Sequence, residues 1–144
     1  MDVLNFVMDS ILFQKEESAP VILEKESMIL DTTFCGNWDN SKHIYSKFGK
    51  DYKEFSNNTS NILDLSKYIT CKTNLLITSK FSKNNLAKRQ MDGYFRFLKI
   101  STPLFSTDGN LCLIKISGDG EFLFLLERIN SKWNKKMLLK ATVW

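Results

Sequence analysis

The chain contains one histidine, so any chemistry that needs an imidazole, whether a Ser-His-Asp relay, a Cys-His pair or a His-bound metal, must use His43. Asp39 precedes it by four residues, which can set a carboxylate beside the ring at the start of a helix. There the carboxylate can raise the imidazole pKa and orient the ring as a base. A surface histidine on an amphipathic helix has the same spacing, and no residue is assigned as catalytic on this basis. Asp108, Asp119 and Glu121 fall in successive turns of the C-terminal third. Asp119 and Glu121 flank Gly120, but a cation site would need at least about three further oxygen ligands, and turn chemistry accounts for all three acids. Cys35, Cys71 and Cys112 are far apart and show neither zinc nor dithiol spacing. Cys112, within Leu111-Cys112-Leu113-Ile114, reads as a small core residue. There is no Gly-rich phosphate loop, nucleophile elbow or HExxH pattern. The expectation is no metal, no cofactor and, on balance, no enzyme.

A second chemistry-bearing cluster is basic. Lys80, Lys83, Lys88, Arg89, Arg96 and Lys99 lie among Phe81, Tyr94, Phe95 and Phe97, a mixture found on surfaces that stack nucleotide bases. The alternation points aromatics inward and cations outward, and the net charge of +4 is modest for a chain that must neutralise several phosphates. Nucleic acid is therefore an unlikely partner. The charge is unevenly spread: residues 1–64 carry 6 Lys+Arg against 11 Asp+Glu, while residues 65–144 carry 14 against 5. Such opposition either draws two halves of one fold together or offers a charged face to a partner.

These residues need elements to position them. With 144 residues, 43% of them hydrophobic and 25% charged, one globular domain spanning 1–144 is expected. The longest apolar stretches, such as Phe122 to Leu126, fall far short of the roughly 20 residues of a membrane-spanning helix. The N-terminus lacks a basic n-region and carries Asp2 and Asp9, which points to a cytoplasmic location for the chain as given, with export after signal removal as the alternative.

Leu4, Val7, Met8, Ile11 and Leu12 recur at helical spacing. Val21-Ile22-Leu23 and Met28-Ile29-Leu30 read as extended, and a helix is expected from about Ser41 through Ile44, Tyr45 and Phe48. Ile62 to Tyr68 reads as a further short helix. From Tyr94 onward the pattern becomes β-rich. Strands are expected over Tyr94 to Ile100, Leu111 to Ser117, Glu121 to Ile129 and Trp133 to Leu139, joined by Thr107-Asp108-Gly109-Asn110, Gly118-Asp119-Gly120 and Asn130-Ser131-Lys132. The whole is read as an α+β fold in which N-terminal helices pack on a C-terminal antiparallel meander of four or more strands. Phe122, Phe124 and Leu126 share one face of their strand while Leu123 and Leu125 share the other, so both faces need cover.

The run Ser101-Thr102-Pro103-Leu104-Phe105-Ser106-Thr107-Asp108-Gly109-Asn110-Leu111-Cys112-Leu113-Ile114, then Gly118-Asp119-Gly120 and Leu126-Glu127-Arg128-Ile129-Asn130-Ser131-Lys132-Trp133, resembles the C-terminal sheet of a family of small uncharacterised bacterial proteins, often exported or lipid-anchored. Their pattern reads S-x-P-x-F-S-x-D-G … G-x-G … L-x-K-x-N-G-K-W. The likeness covers roughly the last third of the chain, and Ser131 stands where that pattern has Gly. It implies the antiparallel sheet and no activity.

Two functions follow as expectations. The first is a non-enzymatic interaction protein of the inhibitory, immunity type, acting on a protein partner or as a homodimer through Trp38, Tyr94, Trp133 and Trp144, since aromatics dominate interface energetics. The second is a cone-shaped domain that encloses a small ligand, with His43 and Asp39 lining the pocket.

Overall fold

A computed structural model describes residues 2–12, 21–30, 43–49, 54, 62–70, 75–78, 96–118 and 120–143. The α+β expectation is corrected. Strands make up 53% of the described residues and helical turns 20%, so the described molecule is built on a sheet and not on helices layered over one. Helix α1 spans only Asp2–Val7 and passes directly into a π turn, Met8–Leu12. The remaining described helical pieces are the turn at residues 43–45, residue 54 and a 3₁₀ turn, Leu65–Lys67. The helical spacing from Leu4 to Leu12 is real, but so short a helix contributes by burying one apolar face: Val3, Leu4, Val7 and Met8 are all within 1% of full burial.

The sheet holds β1 (Val21–Glu24), β2 (Leu75–Thr78), β3 (Arg96–Ile100), β4 (Leu104–Phe105), β5 (Leu111–Ser117), β6 (Gly120–Ile129) and β7 (Lys132–Val143). The order is β2-β1-β3-β5-β6-β7, with β4 pairing β5 beside that path. β1 runs parallel to both neighbours. Val21, Ile22 and Leu23 are accordingly buried, as a strand flanked on both edges and covered on both faces requires. From β3 onward every pairing is antiparallel.

Between β3 and β4 the ladder breaks, because Pro103 has no N–H to donate. Ser101 repairs the gap. Its backbone N–H donates to the Lys115 carbonyl at 2.8 Å and its hydroxyl accepts the Lys115 N–H at 2.8 Å, in a fully buried position. A matching repair ties the N-terminal segment to the sheet. The Ser27 hydroxyl accepts from the Leu63 N–H at 2.7 Å and shares a 2.5 Å hydrogen bond with Thr102 Oγ1, while Met28 exchanges backbone bonds with Ile100 and Thr102.

Two apolar clusters sit on opposite faces of the sheet. The larger joins α1, the π turn, Leu65 and Ile69 to Val21, Leu23, Leu98, Ile100, Cys112, Ile114, Ile116, Phe124, Leu126 and Trp133. The second places Leu30, Tyr45 and Phe48 over Leu104, Leu111, Leu113, Leu123 and Leu125. The doubly apolar character of β6 is therefore resolved inside the chain. On β5, Lys115 is the exception: its side chain is only 6% exposed and its ammonium meets Glu121 at 3.4 Å.

Two turns depend on special backbone. In the β6–β7 hairpin, Ile129 pairs with Lys132, leaving Asn130 and Ser131 as a two-residue loop with φ of 51° and 65°. This is the left-handed pair that such hairpins need, and Asn tolerates it better than Ser. A Cβ on Gly120 would collide with the Thr142 carbonyl, so β6 can begin beside the end of β7 only with glycine there.

Two outcomes are expected in urea denaturation. Ser131→Gly should stabilise the chain by about 1 kcal/mol, raising Tm by roughly 2–4 °C; no gain would mean that the hairpin is not closed by this turn. Phe48→Ala, at a residue 1% exposed, should cost about 3–5 kcal/mol. A loss under about 1 kcal/mol would show that the second face is not covered by the turn at residues 43–48.

Candidate interaction surface

Strand β7 is the most exposed strand among the described residues. β7 is the last strand in the sheet order, so only one of its two rows of backbone amides and carbonyls is paired with another strand among the described residues. Its twelve residues contain Lys132, Lys135, Lys136 and Lys140 and no acid. The same strand exposes Met137 (44%), Leu138 (48%) and Val143 (76%), well above the exposure of most large apolar residues here. Register places Leu138 opposite Phe124 and Met137 opposite Leu125, so the exposed side chains extend both sheet faces beyond the covered cores. Two register shifts, between Leu123/Phe124 and Leu125/Leu126, bend the strand and insert extra residues. Bulges and lysines are the usual means by which an edge avoids indiscriminate pairing.

Two ammonium groups of this strand have partners on β6. Lys136 reaches Glu127 at 3.6 Å, and the Lys135 ammonium lies 5.9 Å from the Phe124 ring centroid. Both lysines remain exposed, where pairing contributes at most about 1 kcal/mol.

Beside the strand lies an open cleft of about 270 Å³, lined by Lys47, Asp108, Glu127, Lys136 and the Ser106-Thr107 backbone turn. Its carboxylates are engaged within the chain. Asp108 Oδ1 accepts from the Ser106 hydroxyl at 2.6 Å and from the Asn110 N–H at 2.9 Å, and Ser106 Oγ in turn accepts from the Leu111 N–H at 3.0 Å. These bonds close the turn that enters β5, with Gly109 at φ +76°. The Thr107 N–H donates to the Lys47 carbonyl at 3.1 Å, which ties the helical turn over the second core to the same corner.

The residues singled out in the sequence are not gathered into one site. His43 is exposed in the helical turn at residues 43–45 and does not line the cleft. Asp39, Trp38, Tyr94 and Trp144 lie outside the described residues, as do Asp119, Cys35 and Cys71 and the basic run from Lys80 to Arg89. Trp133 is only 7% exposed: Arg128, its cross-strand neighbour, sits 4.7 Å above the indole, and Phe105 packs at 5.9 Å. It closes the larger core and is not an exposed anchor. Cys112 is fully buried, and burial pushes its thiol pKa far up, so it stays protonated and inert. Glu121 and Asp108 sit at opposite ends of β5, and among the described residues no three His, Cys, Asp or Glu side chains converge to hold a metal. No described helix is long and apolar enough to cross a membrane. The basic edge was missed in the sequence, although four lysines without an acid in a β-rich run are a readable sign of an edge strand.

No family model, curated protein or solved structure matches the chain. The surface must therefore be interpreted from its own chemistry.

The Ser106–Asp108 turn makes a pH prediction. The Ser106 hydroxyl, then the Asn110 N–H and the nearby Lys47 charge, hold Asp108 below the ordinary value of 3.8. Asp64 is lowered likewise, by Ser66 first and with help from Lys25. A carboxylate depressed by folding stabilises the native state above its unfolded pKa, and that contribution is lost as pH falls through the folded value. The stability margin of the wild type over Asp108→Asn should hold at neutral pH and shrink steadily below about pH 4. A margin independent of pH in acid denaturation would contradict the charged turn.

Proposed function

We propose that this chain is a protein-binding module, of which an inhibitory, immunity-type protein is one form, and that it docks its partner through the outer edge of β7. One observation carries the reading: a twelve-residue edge strand whose outer row has no strand partner among the described residues, with Met137, Leu138 and Val143 exposed along it. Exposed apolar side chains grouped on an unpaired edge favour strand addition, in which main-chain hydrogen bonds supply affinity and alternate side chains supply selectivity.

The second apolar face of β5 and β6 is a weaker candidate, because Leu30, Tyr45 and Phe48 already occupy it. The ligand-pocket reading through His43 and Asp39 gains nothing from the cleft, whose lining does not include His43. The bacterial origin implied by the C-terminal pattern belongs to the same proposal and sets the lysate in which a partner is sought.

The test is a differential capture. Wild-type chain and a Met137→Lys/Leu138→Lys variant, matched by far-UV circular dichroism, are used as baits in lysate from the source cell. The expected result is at least one protein retained by the wild type and reduced tenfold or more, about 1.4 kcal/mol, by the variant. An unchanged set of captured proteins would refute docking at β7.

A further inference from the structure

Taking the docking reading of β7 as its premise, we infer that the occupant of this edge is an acidic extended segment of another protein, added to the sheet as an eighth strand. Charge decides between occupants. β7 presents Lys132, Lys135, Lys136 and Lys140 with no acidic residue, and Arg128 stands exposed across the hairpin from Trp133. A second copy of this chain, paired antiparallel about the centre of the strand, would set Lys135 of each copy against Lys140 of the other, and like charges directly opposed on paired strands are destabilising. A basic segment meets the same penalty. A neutral one pairs without it but draws nothing from the lysines. An acidic one converts the strand's edge protection into attraction, since carboxylates on alternate residues line one face of the added strand, the face on which Lys132 and Lys140 lie opposite Ile129 and Leu123.

The register supports a strand with two kinds of side chain. Leu138 lies opposite Phe124, Ala141 opposite Phe122 and Val143 opposite Gly120, which makes one apolar line on the face of the larger core. Met137 lies opposite Leu125 and Lys140 opposite Leu123 on the other face. A segment alternating acidic and β-branched residues satisfies both, placing its apolar side chains beside Leu138 and Val143. Electrostatic attraction of this kind speeds association and selects the partner, and it weakens with salt.

The test uses the full ¹⁵N-labelled chain and three short synthetic peptides: one alternating Glu and Val, one alternating Lys and Val, and a Glu-Val peptide interrupted by prolines, which cannot donate to a ladder. Backbone shifts and amide exchange along β7 are followed at about 0.05 M and about 0.3 M salt. The expected result is protection of β7 amides by the Glu-Val peptide alone, weakened several-fold at the higher salt. A Lys132→Glu/Lys140→Glu variant, shown to be folded by its unchanged β5 and β6 signals, should then prefer the Lys-Val peptide. Equal or better protection by the Lys-Val peptide, or concentration-dependent protection of β7 in the chain alone, would overturn the acidic partner while leaving β7 as a docking edge. Protection of β7 by none of the peptides would overturn the docking reading itself, and this inference with it.

Discussion

The structure depends on one constraint: β5 and β6 are apolar on both faces, so neither face can be left in water. Phe122, Phe124 and Leu126 look one way and Leu123 and Leu125 the other, and β5 repeats the division with Cys112, Ile114 and Ile116 against Leu111 and Leu113. Each such side chain contributes about 1.5–3 kcal/mol when fully buried, which makes an uncovered face a large penalty for a domain of marginal stability. The chain meets the constraint with two different covers. Helix α1, the π turn and the 3₁₀ turn close one face; Leu30 and the turn bearing Tyr45 and Phe48 close the other. Neither cover hides the apolar side chains at the far edge of the sheet, and the exposure of Met137, Leu138 and Val143 follows from that.

Covering both faces brings irregular backbone against the sheet, and serine hydroxyls satisfy it. Ser27, Ser101 and Ser106 are all buried, and each bonds a backbone N–H that no regular ladder serves. An unsatisfied buried amide would cost about 1–3 kcal/mol. No described buried side-chain nitrogen or oxygen lacks a partner. The connections between the sheet and its covers are thus specific in position as well as apolar in character, and the corner at Ser106, Asp108 and Lys47 joins the second cover to the start of β5.

The antiparallel strands were legible because their signals are local. Alternation in residues 121–126, the glycine at 109 and the Asn130-Ser131 loop each announce a feature within a few residues of itself. The parallel half was not legible, because β1 pairs with β2 across some fifty positions and no local period encodes that partner. The helical content was overestimated for a related reason. Leu4, Val7 and Met8 show the spacing of one helix face, yet that spacing does not say how regular the helix is, and here the α-helix gives way to a π turn at Met8. The burial of Trp133 is not legible locally, because its partners are Arg128 across the strand and Phe105 from β4. The basic edge became recognisable only once β7 was seen to be last in the sheet.

The account turns on whether the outer edge of β7 is open in the free chain. Native-state amide exchange, resolved residue by residue on the isolated protein, measures this directly, since amides paired within the sheet exchange only through opening while an unpaired row exchanges from the native state. The account predicts strong protection throughout β5 and β6 and, along β7, slow amides interleaved with fast ones, the fast set being those that do not pair with β6. Uniformly slow exchange along β7 in dilute solution would show that the edge is already covered, and would contradict a surface waiting for a partner strand.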